Sequence, residues 1–117
     1  MDIREFFEKE GGSYDEVMGR LGKEERIIKY LKKFAEGEDY RVELKNALEN
    51  EDYETAFRTV HNLKGLSLNL GLKKLHDTSD ILCEEIRHGK PDKDISDMVD
   101  AVMDAYTFEL GLIGVLD

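Results

Sequence analysis

The sequence predicts an all-α protein, built as an antiparallel up-and-down four-helix bundle with extra short helices at its N-terminus. The 117 residues include one proline and no tryptophan, and they are rich in Leu, Glu and Lys, which favour helices. Apolar residues recur at spacings of three and four, and no window shows the strict apolar–polar alternation of a strand. Because a chain of this length fits one hydrophobic core, we expect a single domain over residues 1–117.

The first 22 residues are predicted to form a cap over one end of the bundle. An amphipathic opening segment ends at the glycine pair 11–12. Ser13 and Glu16 then have the spacing of a capping box and start a short helix, which Gly22 stops.

Residues 24–115 are predicted to form the bundle itself. Its main helices are expected within the ranges 24–49, 52–70, 72–88 and 92–115. The first range holds two helical segments, since its apolar stripe breaks near Gly37. Gly71 separates the second range from the third. Gly89 and Pro91 end the third helix, because glycine accepts a left-handed cap and proline cannot continue a helix. Asp92 or Asp94 can cap the last helix.

Composition and charge exclude several classes of protein. No stretch approaches the ~20 apolar residues that a membrane span needs, and the first residues lack the layout of a secretion signal. The lone Cys83 cannot form an internal disulfide, which fits a reducing compartment. A net charge of −10 argues against nucleic-acid binding, because phosphate backbones would repel the chain. We therefore expect a cytoplasmic protein with no membrane or nucleic-acid partner, and a monomer.

One window of the chain is basic. Residues 55–75 contain no Asp or Glu, while Arg58, Lys64, Lys73 and Lys74 are all cationic. In a chain this acidic, such a window suggests a docking site for something anionic, although charges also cluster by chance.

The predicted helix 52–70 carries the residues that point to chemistry. Its inward face follows from a rotation of about 100° per residue and comprises Tyr53, Ala56, Val60, Leu63, Ser67 and Leu70. His61 lies at the edge of this face and points outward. The helical neighbours of its imidazole are Phe57, Lys64, Gly65 and Leu68.

These neighbours make sense if a large group must reach the imidazole of His61. Glycine inside an exposed helix costs roughly 1 kcal/mol relative to alanine, and Gly65 would leave the ring open to that group. Lys64 would place a mobile ammonium beside whatever the imidazole carries, and two negative charges of a phosphoryl group would suit it. Phe57 and Leu68 would form an apolar rim for a partner. A neutral imidazole is itself nucleophilic near physiological pH.

At these positions the chain resembles the histidine-containing phosphotransfer (HPt) domain family. The resemblance rests on His61-Asn62-Leu63-Lys64-Gly65, followed by Ser67 and by Leu70-Gly71. It implies that His61 is the phosphorylated residue, that Lys64 assists by charge, that Gly65 keeps the ring accessible and that Gly71 ends the helix. The position after Gly65 is commonly small in the family, whereas here it is Leu66.

The resemblance also implies a function and its partners. The chain would accept a phosphoryl group on His61 from a receiver-domain phosphoaspartate and pass it to another receiver. Those receivers would belong to response regulators or hybrid histidine kinases. The basic window, including Arg58, would steer a receiver toward the histidine. No nucleotide-binding loop is present, so we expect no kinase activity and no cofactor of its own; magnesium is expected in the partner receiver.

Other interpretations stay open at this point. A single histidine at a helix edge is usually an ordinary surface residue, and a helical glycine can serve close helix packing instead. A non-catalytic helical adaptor, or a degenerate HPt member that docks without carrying phosphate, would also explain the bundle. A metal-binding bundle is weakly supported: Glu85 and His88 form a single Glu-x-x-His pair, and His76, Cys83 and His88 lack zinc-ligand spacing. We therefore expect solvated His76 and His88, and a buried Cys83.

Overall fold

The computed structural model describes all 117 residues and contains seven α-helices and no strand, which confirms the all-α prediction. None of the seven helices combines the length and the apolarity that crossing a bilayer requires. In chain order the helices are α1 (Ile3–Glu10), α2 (Tyr14–Leu21), α3 (Glu24–Glu36), α4 (Tyr40–Glu49), α5 (Tyr53–Leu70), α6 (Lys73–Glu85) and α7 (Ser96–Gly114).

The bundle is built mainly from neighbouring pairs along the chain. Helix α5 packs against α4 and α6, and α6 packs in turn against α7. Helix α3 lies against α2, α7 and α5. Connections of two or three residues, such as 71–72, oblige α5 and its neighbours to fold back on each other. The first predicted range, 24–49, is interrupted at residues 37–39 and contributes two helices, α3 and α4.

The N-terminal helices take part in the core. Phe6 and Phe7 of α1 are fully or almost fully buried, as is Val17 of α2. Gly71, just after α5, lies so close to them that a Cβ atom there would stand 2.9 Å from Phe7 Cε1 and would overlap Val17. The first two helices therefore pack directly on the turn between α5 and α6.

Most helix ends follow the sequence signals, with two differences. The Ser13 hydroxyl accepts a hydrogen bond from the backbone N–H of Glu16 at 3.2 Å, as the capping box predicts. Helix α6 ends at Glu85, three residues before His88, and the chain continues as turns. Helix α7 begins at Ser96, where the carboxylate of Asp94 accepts the backbone N–H of Ser96 at 2.9 Å.

A pair of carboxyl groups lies inside the fold, and the sequence did not predict it. Glu10 of α1 and Glu109 of α7 are both completely buried. One Glu10 oxygen accepts the backbone N–H of Lys74 at 3.1 Å, while the other and both Glu109 oxygens have no partner. Burial, reinforced by the neighbouring Glu10, raises the pKa of Glu109 to about 9. Glu109 is therefore protonated at neutral pH, which avoids burying a second negative charge beside Glu10.

Candidate functional site

Helix α5 is fixed at both ends by its own sequence. The Asp52 carboxylate accepts the backbone N–H of Thr55 at 3.1 Å, and Gly71 ends the helix at a φ of 72°. The inward face is buried as the periodicity predicts, except that Tyr53 is half-buried and Thr59 is buried as well. This anchoring holds the opposite face in a fixed orientation.

His61 lies on the outer face of α5 and is exposed. Its imidazole stacks on the ring of Phe57, with the ring centroids 5.7 Å apart and the planes inclined by 19°. The guanidinium carbon of Arg87, from the turn after α6, lies 5.5 Å from the centroid of the same phenyl ring. Phe57 thus holds the imidazole on α5 and a cation from the α6 side together.

The space beside His61 is open at Gly65. A Cβ atom at this exposed position would meet nothing within 4 Å, so close packing against another helix does not account for the glycine. Leu68, about two turns beyond His61 on the same side of α5, is 53% exposed, whereas Leu66, 36% exposed, lies on another side of the helix. The face around the imidazole therefore combines an accessible ring with the uncovered apolar side chain of Leu68, as partner surfaces do.

Lys64 is paired with a carboxylate of the neighbouring helix α6. Its ammonium group forms an ion pair with the Asp80 carboxylate of α6, with Nζ 2.8 Å from Oδ1. This contact raises the pKa of Lys64 and lowers the pKa of Asp80, chiefly through the hydrogen bond between the two groups. The charge next to His61 is therefore shared with an acidic neighbour.

The other cations of the basic window have partners of different kinds. Lys73 pairs with Asp77 at 2.8 Å, and the Lys74 ammonium donates to the backbone carbonyl of Glu10 at 2.6 Å. Arg58 is exposed, and its guanidinium donates a long hydrogen bond, 3.4 Å, to the Thr55 hydroxyl. The window is free of carboxylates only in sequence, since α6 brings acidic side chains against it.

The α6 contribution to the site was missed by the sequence analysis. Asp80, Glu84 and Arg87 are spaced as neighbours along one helical face, but the sequence does not say which helix that face meets. Arg87 also pairs with Glu84, and this contact lowers the pKa of that carboxyl. Cys83 is buried as expected, and burial raises the pKa of its thiol.

The other two histidines lie outside this cluster. His88 is exposed, as predicted. The His76 side chain is 24% exposed, so its ring is half-buried rather than fully solvated, and its Nδ1 lies 3.0 Å from an Asp77 oxygen. No three His, Cys, Asp or Glu side chains are grouped in a way that could hold a metal ion.

Comparison with known proteins gives one positive finding. The family model described as the Hpt domain matches residues 32–106, which include all of α5 and α6. No curated protein and no solved structure gives a significant match.

Proposed function

The chain belongs to the Hpt domain family, whose members act in phosphotransfer within phosphorelays, and from this premise we propose that His61 is the phosphoacceptor. The chain receives a phosphoryl group from the phosphoaspartate of one receiver domain and passes it to the aspartate of another. The single observation that carries the proposal is an exposed imidazole beside an open helical glycine, in a chain of this family.

The transfer is a displacement at phosphorus. An imidazole nitrogen of His61 attacks the phosphorus atom in line, the acyl-phosphate P–O bond breaks, and its electron pair leaves with the aspartate carboxylate. The reverse displacement returns the group to a second receiver. The receiver is expected to contribute magnesium and most of the charge stabilisation, while this chain contributes a positioned nucleophile.

Neighbouring side chains have separate parts in this proposal. The Phe57 ring, stacked on the imidazole, restricts the orientation of the nucleophile. Lys64 and Arg87 bring cationic groups to the same face, and each is already paired with a carboxylate of α6. Gly65 leaves the approach path open, and Leu68 offers apolar contact to the partner. Arg58 is an exposed cation of the same window and could contact an approaching acidic surface.

Labelling of histidine variants tests the assignment directly. The chain has three histidines, so His88→Gln, at an exposed position, provides a matched control for His61→Gln. A receiver domain phosphorylated in vitro should label the wild type and the control with acid-labile phosphate, and should leave His61→Gln unlabelled. Label on the His61 variant would refute the assignment. A wild-type chain that binds the receiver but takes no label would be a docking member that carries no phosphate. The cytoplasmic location and the monomeric state remain part of the proposal.

A further inference from the structure

The ion pair between Lys64 and Asp80 joins the helix that carries His61 to the helix beside it. Lys64 is three residues after His61 and therefore shares its side of α5. The two charged groups are 2.8 Å apart, and their side chains are 28% and 43% exposed. The surrounding protein partly excludes water from the pair, so the two charges attract one another more strongly than fully solvated charges would.

A phosphoryl group on His61 would change the balance of this pair. It brings nearly two negative charges and three acceptor oxygens within reach of the Lys64 ammonium. Asp80 then competes for the same cation and also repels the new anion. In the unphosphorylated chain the ammonium group contacts Asp80 Oδ1 at 2.8 Å, so the phosphoryl group and Asp80 would have to share one positive charge and its three N–H donors.

We propose that Asp80 is a positioning residue that holds Lys64 before phosphorylation and then competes with the phosphoryl group for it. This inference rests on the proposed function of His61. Through this competition Asp80 keeps the phosphoryl group less tightly stabilised on the histidine, and so easier to pass on. An exposed or half-exposed ion pair shifts an equilibrium by at most a factor of about five.

Phosphoramidate is a suitable probe, because it phosphorylates without a partner protein. An imidazole nitrogen bonds to phosphorus, the P–N bond of phosphoramidate breaks, and ammonia leaves with the electron pair. The experiment measures the lifetime of the phosphorylated histidine after the donor is removed. It compares wild type, Asp80→Asn, Lys64→Met, the double variant and Asp104→Asn. Asp104 is an exposed carboxylate of α7 and controls for the loss of one negative charge.

Asp80→Asn should lengthen the lifetime about two- to fivefold, whereas Asp104→Asn should leave it unchanged. In the Lys64→Met background, the fold-change in lifetime caused by Asp80→Asn should fall toward one, because the competition needs the ammonium group. An unchanged or shortened lifetime in Asp80→Asn would overturn the inference. So would an equal effect with and without Lys64, since Asp80 would then act directly.

The test separates this inference from the proposed function. If the wild type takes no label on His61 from a phosphorylated receiver, the proposed function fails and the inference fails with it. If the wild type is labelled on His61 but Asp80→Asn behaves like wild type, only the inference fails. A receiver titration adds a second readout, since Asp80→Asn should shift the phosphoryl equilibrium toward the histidine by the same factor.

Discussion

Replacing Gly65 should make the protein more stable and less active. The position is exposed within α5, and a Cβ atom there meets nothing within 4 Å, so alanine introduces no clash. Alanine also restricts the unfolded chain, and Gly65→Ala should raise the free energy of unfolding by about 0.5–1 kcal/mol. For a domain of this size that gain corresponds to an increase in Tm of about 2–5 °C.

Transfer from a receiver should fall as the side chain at position 65 grows. Gly65→Gln is a good helix former, so it should keep the added stability while placing a bulky group beside His61. We expect its rate of labelling by a phosphorylated receiver to drop by about tenfold or more, because small displacements of reacting groups are costly. Labelling by the small donor phosphoramidate should fall much less.

The matched control is Gly111→Ala in α7, another helical glycine with open space around it. It should gain stability without losing transfer. A Gly65→Ala variant less stable than wild type would contradict the open geometry at this position. Receiver labelling of Gly65→Gln at the wild-type rate would refute the idea that this glycine keeps the imidazole accessible.

Three further variants probe other parts of the structure. A raised carboxyl pKa means that the folded chain holds a proton that the unfolded chain has lost, so Glu109 lowers stability as pH rises from about 4.5 to about 9. Glu109→Gln should abolish this slope of up to about 1.4 kcal/mol per pH unit in urea titrations; a pH profile parallel to that of the wild type would contradict the raised pKa of Glu109. Gly71→Ala should lose about 2–4 kcal/mol by the same titration, because its φ is +72° and the added methyl overlaps buried side chains; near-wild-type stability would contradict this packing. Phe57→Leu should keep the apolar contact but move the His61 ring protons downfield in NMR spectra, since the stacked ring is lost; unchanged shifts would contradict the stacking.

Features determined within one helix could be predicted from the sequence. The rotation per residue correctly placed His61 on the outside of α5 and the buried side chains on the opposite face. Gly71 marked the end of that helix for a local reason, its left-handed backbone. The all-α class followed from the same local patterns, namely apolar residues along one face of each helix and glycine or proline residues between helices.

Features that join two helices could not be predicted. Lys64 had no visible partner in its own window, because Asp80 lies 16 residues later on another helix. Glu109 lies three positions after the buried Tyr106 on α7, but a glutamate at such a position is ordinarily expected in solvent. In the fold, burial and the neighbouring Glu10 raise the pKa of Glu109 and so keep its carboxyl group protonated and neutral. Local periodicity gives the direction of a side chain, but it does not say what the side chain meets.

The contact between the first helices and the α5–α6 turn limits how the chain can be shortened. The family match starts at residue 32, after α1 and α2 and within α3. An expression fragment trimmed to that boundary would expose the apolar surface that Phe6, Phe7 and Val17 cover. It would also remove Glu10 from beside Glu109. Such a fragment should precipitate or bind hydrophobic dyes, so binding studies with receivers require the N-terminal helices to stay attached.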